Sequence, residues 1–209
     1  MLKGPRFVPE NPKKLLVTLH GYGANGDDLF DIGVMLIAGR SDIALYSPHA
    51  VEPFELAAVG GGYQWFGLPD LAQMTLQKGV HKALPNLLLY LDEITRYHNI
   101  RYEDVILFGF SQGCMMSLAC LYFRPLGGVI GASGMLIKPE NPEILKPKTK
   151  VLLTHGMMDT VVPYASAPIA KTFLEQDGMS VDLISRPTLA HAIDEVVITE
   201  SIQFLNTVL

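Results

Sequence analysis

Cysteine is scarce in this chain of 209 residues: there are two, Cys114 and Cys120. A helix spanning both would hold their Cα atoms about 9 Å apart at the helical rise, beyond disulfide reach. A disulfide-stapled framework is therefore excluded. Charge is thin as well. Charged residues make up 18% and hydrophobic residues 49%, a balance that excludes disordered, coiled-coil and low-complexity chains. Sixteen Lys and Arg against 21 Asp and Glu leave a net charge of −5, and the basic residues are scattered. No nucleic-acid footprint is expected from such a pattern. The opening Met1-Leu2-Lys3-Gly4-Pro5-Arg6 has no apolar stretch behind it, so a secretory signal is not expected and the cytoplasm is the expected compartment. Long apolar runs are missing with one exception, the 19 uncharged residues from Val105 to Phe123. Gly109, Ser111, Gln112, Gly113 and Ser117 interrupt this run, which reads as a buried strand entering a buried helix and not as a membrane insertion.

What is present is a recurrence of short apolar runs with room for a helix between them, the mark of βαβ units and a parallel sheet. Strands are predicted at Leu15–His20, Ile43–Pro48, Asp104–Phe110, Gly128–Ala132, Lys150–His155 and Val181–Ser185. Helices are predicted at Asp27–Ala38, Gln77–His98, Gln112–Phe123, Ala165–Gln176 and Ile193–Thr207, with a kink or a late start at Pro85. Length and the lack of linkers or repeats predict one α/β domain over residues 1–209, with helices on both faces of a mostly parallel sheet and no large lid domain. The one long irregular stretch, residues 50–76, carries Gly60-Gly61-Gly62, Trp65 and Phe66. Its triple glycine reads as a hinge, and its aromatics argue for a functional loop.

The segment Gly109-Phe110-Ser111-Gln112-Gly113 ends a predicted strand and opens a predicted helix. That is the context the Gly-x-Ser-x-Gly elbow requires, because a one-residue reversal leaves no space for side chains at the flanking positions. A glycine-rich turn with an incidental serine is the bland alternative. A nucleophilic serine needs a base, and a base needs an acid to orient it. In the elbow's chain order of Ser, acid, His, only His155 and His191 follow Ser111. His155 closes an apolar strand and reads as packing, whereas His191 sits in a loop after the last strand and is the better base. Among Glu140, Glu143, Asp159, Glu175, Asp177 and Asp182, only Asp159 follows a central strand by a few residues; a turn or helix-capping role is its alternative. The oxyanion donors are expected at the amide of Gln112 and, in the loop His20-Gly21-Tyr22-Gly23, at the amide of Tyr22.

Gly21-Tyr-Gly23-Ala-Asn-Gly26 also matches the dinucleotide fingerprint Gly-x-Gly-x-x-Gly, but the next strand ends in Ser47-Pro48-His49 with no acid for the ribose. An oxidoreductase is accordingly a minor alternative, as is a non-catalytic binding protein on the same fold. No Walker, Cys-x-x-Cys or His-Glu-x-x-His pattern supports phosphate or metal chemistry.

Taken together, His20-Gly21-Tyr22-Gly23, Trp65-Phe66, Gly109–Gly113, His155-Gly156-x-x-Asp159-x-Val161-Val162-Pro163 and His191 resemble the phospholipase/carboxylesterase family of small α/β-hydrolases. The resemblance implies a cofactor-free serine hydrolase with the triad Ser111, Asp159 and His191 and an oxyanion hole at Tyr22 and Gln112. It implies short-to-medium acyl esters, lysophospholipids or S-acylated proteins as substrates. Trp65, Phe66, Leu68 and Val162 are expected to contact the substrate, with Leu71 and Met74 either beside them or covering the sheet edge. Low charge and nine methionines leave room for a homodimer face. Cys114, Tyr22 and Gly67 depart from the residues most frequent in the family, and bear on substrate more than on reaction.

Overall fold

Strands that are apolar at every position must be covered on both faces, and a parallel sheet between two helical layers is how a chain meets that demand. The computed structural model describes residues 2–54, 61–70, 72–144 and 148–208. In chain order the elements are β1 (Arg6–Phe7), β2 (Lys14–Leu19), α1 (Gly26–Leu36), β3 (Ile43–Tyr46), β4 (Glu52–Pro53), β5 (Tyr63–Gln64), α2 (Gln73–His98), β6 (Val105–Phe110), α3 (Gln112–Cys120), β7 (Gly128–Ala132), β8 (Lys150–Gly156), α4 (Ser166–Gln176), β9 (Ser180–Arg186) and α5 (Glu195–Val208). Seven strands form one sheet in the order β1-β3-β2-β6-β7-β8-β9, parallel except where β1 runs antiparallel to β3. The fold is thus of the α/β-hydrolase type.

Alternation along β2 distributes its side chains between the layers. Leu15, Val17 and Leu19 pack with residues of α2, α3 and α4, including Leu87, Leu91, Met116 and Leu174. Leu16 faces the other way, toward Leu29 and Leu36 of α1 and Phe204 and Leu205 of α5. The charge-free run from 105 to 123 is β6 followed by α3, and every residue of α3 is buried. No helix among the described residues is long and apolar enough to cross a membrane.

Two local outcomes differ from the sequence reading. Pro85 neither delays nor ends α2, which begins four residues earlier than expected, at Gln73, and continues to His98. A proline in a helix interior costs one backbone hydrogen bond, and the buried stripe Leu84, Leu87, Leu91 and Ile94 on either side of it supplies the packing that offsets the loss. In the segment read as irregular, β4 and β5 form a small antiparallel ribbon with Glu52 opposite Gln64. Gly62, read as part of a hinge, is closely packed: a Cβ there would lie 2.3 Å from the Gly23 carbonyl oxygen. Gly60 and Leu71 lie outside the described residues.

Because the central strands are parallel, the loops leaving β2, β6, β7, β8 and β9 gather at one edge of the sheet. That edge holds the candidate residues.

Candidate active site

At the end of β6 the chain turns into α3 through one residue, Ser111, with φ 54° and ψ −114°. A non-glycine residue in this region is strained, and the strain holds the hydroxyl away from both the strand and the helix. The flanking glycines are obligatory on steric grounds. A Cβ at Gly109 would fall 2.3 Å from the Gly113 carbonyl oxygen, and one at Gly113 would fall 1.9 Å from that of Leu19. The Ser111 amide donates to the Ala132 carbonyl at 2.9 Å, tying the elbow to β7.

His191 arrives on the loop between β9 and α5. Its Nε2 lies 3.0 Å from Ser111 Oγ and its Nδ1 2.7 Å from Asp159 Oδ2. The loop is held at both ends. Arg186 at the end of β9 donates from Nε and Nη2 to Asp194 Oδ2 at 3.0 and 2.8 Å, and Asp194 Oδ1 accepts the Val197 amide of α5. Underneath, Gly156 lets the loop settle on the end of β8, where a Cβ would lie 2.2 Å from the Leu189 oxygen and 2.4 Å from that of Ala190. The Phe110 ring sits 4.9 Å from the His191 ring and covers one side of it.

Asp159 has contacts of both kinds the sequence permits: Oδ1 accepts the amides of Val161 and Val162 in a turn, and Oδ2 faces His191. Burial pushes its pKa upward, but the bonds from His191, Val162 and Val161 outweigh burial and hold the carboxyl below its ordinary value. His155 is more than packing. Its Nε2–H donates to the Val162 carbonyl at 2.9 Å and lies 3.3 Å from Asp159 Oδ2, behind the acid.

The loop after β2 closes against Ser111, for a Cβ on Gly21 would stand 3.3 Å from Ser111 Cβ. Gln112 opens α3, so its amide belongs to the first helical turn, where amides have no intrahelical acceptor and the helix dipole favours negative charge. His20 is fully buried and neutral: Nδ1–H donates to the Gly21 carbonyl at 2.7 Å while Nε2 accepts the Ala50 amide at 3.0 Å. Burial pushes its pKa down to about 4. Gly26, at the start of α1, packs directly on the end of β3, since a Cβ there would meet the Ser47 oxygen at 2.0 Å.

The expected substrate contacts are placed differently. Trp65 and Phe66 are 2% and 1% exposed, so their side chains belong to the core instead of flanking a groove. Val162 is likewise buried, and its backbone holds Asp159 and His155. Leu68 is half-buried against the core, and Met74 is exposed. An apolar cavity of about 540 Å³ lies elsewhere, between α2, the segment after β7 and α4, with Leu76, Met135, Leu136, Ile137, Ile169 and Phe173 among its walls. Sequence reasoning missed these residues because their periodicity marks only helices and loops, not the gap between them. Cys114 and Cys120 are buried free thiols whose pKa values burial pushes up to about 12, which makes them unreactive near neutral pH.

The mostly parallel sheet, the strained serine at a strand-to-helix turn and the serine–histidine–aspartate alignment together define an α/β-hydrolase. A family model described as Phospholipase/Carboxylesterase matches residues 8–209, and the chain belongs to that family of carboxylic ester hydrolases. It is 29% identical to Esterase YpfH of Escherichia coli over 92% of this chain and 84% of the relative. It is 26% identical to Acyl-protein thioesterase 1 of Debaryomyces hansenii, covering 94% of this chain and 92% of the relative. Among solved structures, esterase PE8 is similar at a TM-score of 0.88 and 30% identity, over 100% of this chain and 99% of that one.

Proposed function

We propose that this chain hydrolyses carboxylic esters or thioesters of apolar acyl groups through an acyl-enzyme on Ser111. The observation that carries the reading is the unbroken line from Ser111 Oγ through both nitrogens of His191 to Asp159, at 3.0 and 2.7 Å. His191 takes the hydroxyl proton as Ser111 attacks the carbonyl carbon, then delivers it to the departing alcohol or thiol. Water deprotonated by the same imidazole releases the acid and restores Ser111. Asp159 keeps the imidazole in the Nδ1–H tautomer and balances its transient positive charge. Amides of Tyr22 and Gln112 hold the oxyanion.

The acyl chain enters the cavity between α2 and α4. Met135 follows Gly134, where a Cβ would stand 2.9 Å from the Ser111 carbonyl oxygen, so this wall begins beside the nucleophile. Ser166, the first residue of α4, is part of the opposite wall. Lys138, whose ammonium donates to both oxygens of Asp177 at 2.8 Å, lines the same cavity. An esterase and a thioesterase among the relatives fit the same chemistry, and lysophospholipids and S-acylated proteins carry such acyl groups. The test is hydrolysis of p-nitrophenyl esters from acetate to octanoate by the native chain and Ser111→Ala, with labelling by a fluorophosphonate. Activity and labelling confined to the native chain support the reading; an unlabelled, inert native chain refutes it.

A further inference from the structure

The side chain of Gln112 has no part in the steps above, yet it is 1% exposed and both ends of its carboxamide are engaged. Oε1 accepts the Trp65 amide and Nε2 donates to the Phe66 carbonyl, each at 2.8 Å. A buried carboxamide with matched partners at both ends is a specific clamp, because losing either bond strands a buried polar group. The segment it grips, residues 63–66, is held along its other edge by the loop after β2. The Gly23 amide donates to the Tyr63 carbonyl at 2.9 Å and the Tyr63 amide to that of Ala24 at 2.7 Å. The Trp65 indole N–H donates to the His20 carbonyl at 2.9 Å, and His20 in turn donates to that of Gly21. A continuous line of hydrogen bonds therefore joins the side chain of Gln112 to the backbone beside Tyr22.

We propose that Gln112 is a positioning residue as well as an oxyanion donor: its carboxamide, acting through Trp65 and His20, sets the separation between its own amide and that of Tyr22. The inference rests on the oxyanion assignment of the proposed function. Two donors on different loops stabilise one oxygen only when their spacing matches it, and a shift of about 1 Å can cost a factor of about 100 in rate. The 63–66 segment is the spacer, and Gln112 pins it to the nucleophile's helix.

Trp65 is the chain's single tryptophan, so its emission reports on the clamp directly. Gln112→Met keeps the length of the side chain and removes both bonds. Its kcat on p-nitrophenyl acetate is expected to fall roughly ten- to a hundredfold with KM within about twofold, and Trp65 emission to move to longer wavelength. Gln112→Glu supplies the conservative rescue. Its neutral acid presents a carbonyl to the Trp65 amide and an O–H to the Phe66 carbonyl, whereas its carboxylate opposes that carbonyl. Burial raises the pKa of such an acid, so the rate of Gln112→Glu divided by that of the native chain should climb as pH falls. A folded Gln112→Met with native kcat overturns the proposal. So does a flat ratio for Gln112→Glu, which decides the matter if Gln112→Met fails to fold. Ser111→Ala separates the two levels: if it stays active, the hydrolase reading itself fails and takes the clamp's role with it; if it is inert, a native kcat in Gln112→Met defeats the clamp alone.

Discussion

Ser111 occupies a backbone conformation that its own chemistry does not favour, and the surrounding bonds and glycines hold it there. Truncating it to alanine, or His191 to alanine, should lower turnover on p-nitrophenyl esters by about 10⁴- to 10⁶-fold, and Asp159→Asn by somewhat less, as steady-state kinetics will show. A merely modest loss at His191 would refute its role as base. His20 makes a different prediction, about stability. Its folded pKa of about 4 lies below the ordinary 6.5, so the unfolded chain binds more protons between those values. The contribution is complete above pH 6.5 and fades as pH falls toward 4, by about 3 kcal/mol in all. Urea titrations from pH 7 down to 4.5 should show this slope in the native chain and a shallower one in His20→Asn.

Among the elements, the loop between β9 and α5 decides whether His191 reaches Ser111. Arg186 and Asp194 fasten its ends with part-exposed groups, and such pairs contribute at most about 1 kcal/mol to stability. Their effect on geometry is larger. Arg186→Met should therefore leave the melting temperature nearly unchanged while lowering kcat roughly three- to tenfold, because the imidazole loses its fixed approach. Equal losses of stability and activity would mean that the pair acts only on folding. The elbow's glycines belong to this scale too. Their positions in the motif are readable from sequence, but the need for Gly156 under the His191 loop is not, because the clashing oxygens come from residues 189 and 190.

For the molecule as a whole, the central question is where the acyl chain lies. Trp65 and Phe66 looked like groove residues because exposed aromatics in an irregular loop usually bind something. Here both are buried beside the ribbon of β4 and β5: Trp65 bonds to the loop after β2, and Phe66 lies against Gly79 of α2. In the proposed function the apolar cavity along α4 takes the acyl chain instead. Ile169→Asp puts a charge on its wall, so octanoate hydrolysis should fall roughly tenfold or more against acetate, whose rate should hold. A parallel fall for both esters would place the acyl chain elsewhere.

The sequence by itself determined the order of strands and helices and the elbow around Ser111, and it singled out Asp159 and His191 as candidates, because each depends on local spacing or on chain order. Six predicted strands match observed ones to within two residues at either end. The antiparallel edge strand β1 and the ribbon were not legible, for two-residue strands carry no periodicity. Only the tertiary structure decided the burial of Trp65, the contact of His155 with Asp159, the cavity between α2 and α4, and the clamp of Gln112 on residues 65 and 66. Each of these joins groups far apart in the chain or oriented by packing, and no local pattern encodes which way a buried side chain must turn to satisfy its polar atoms.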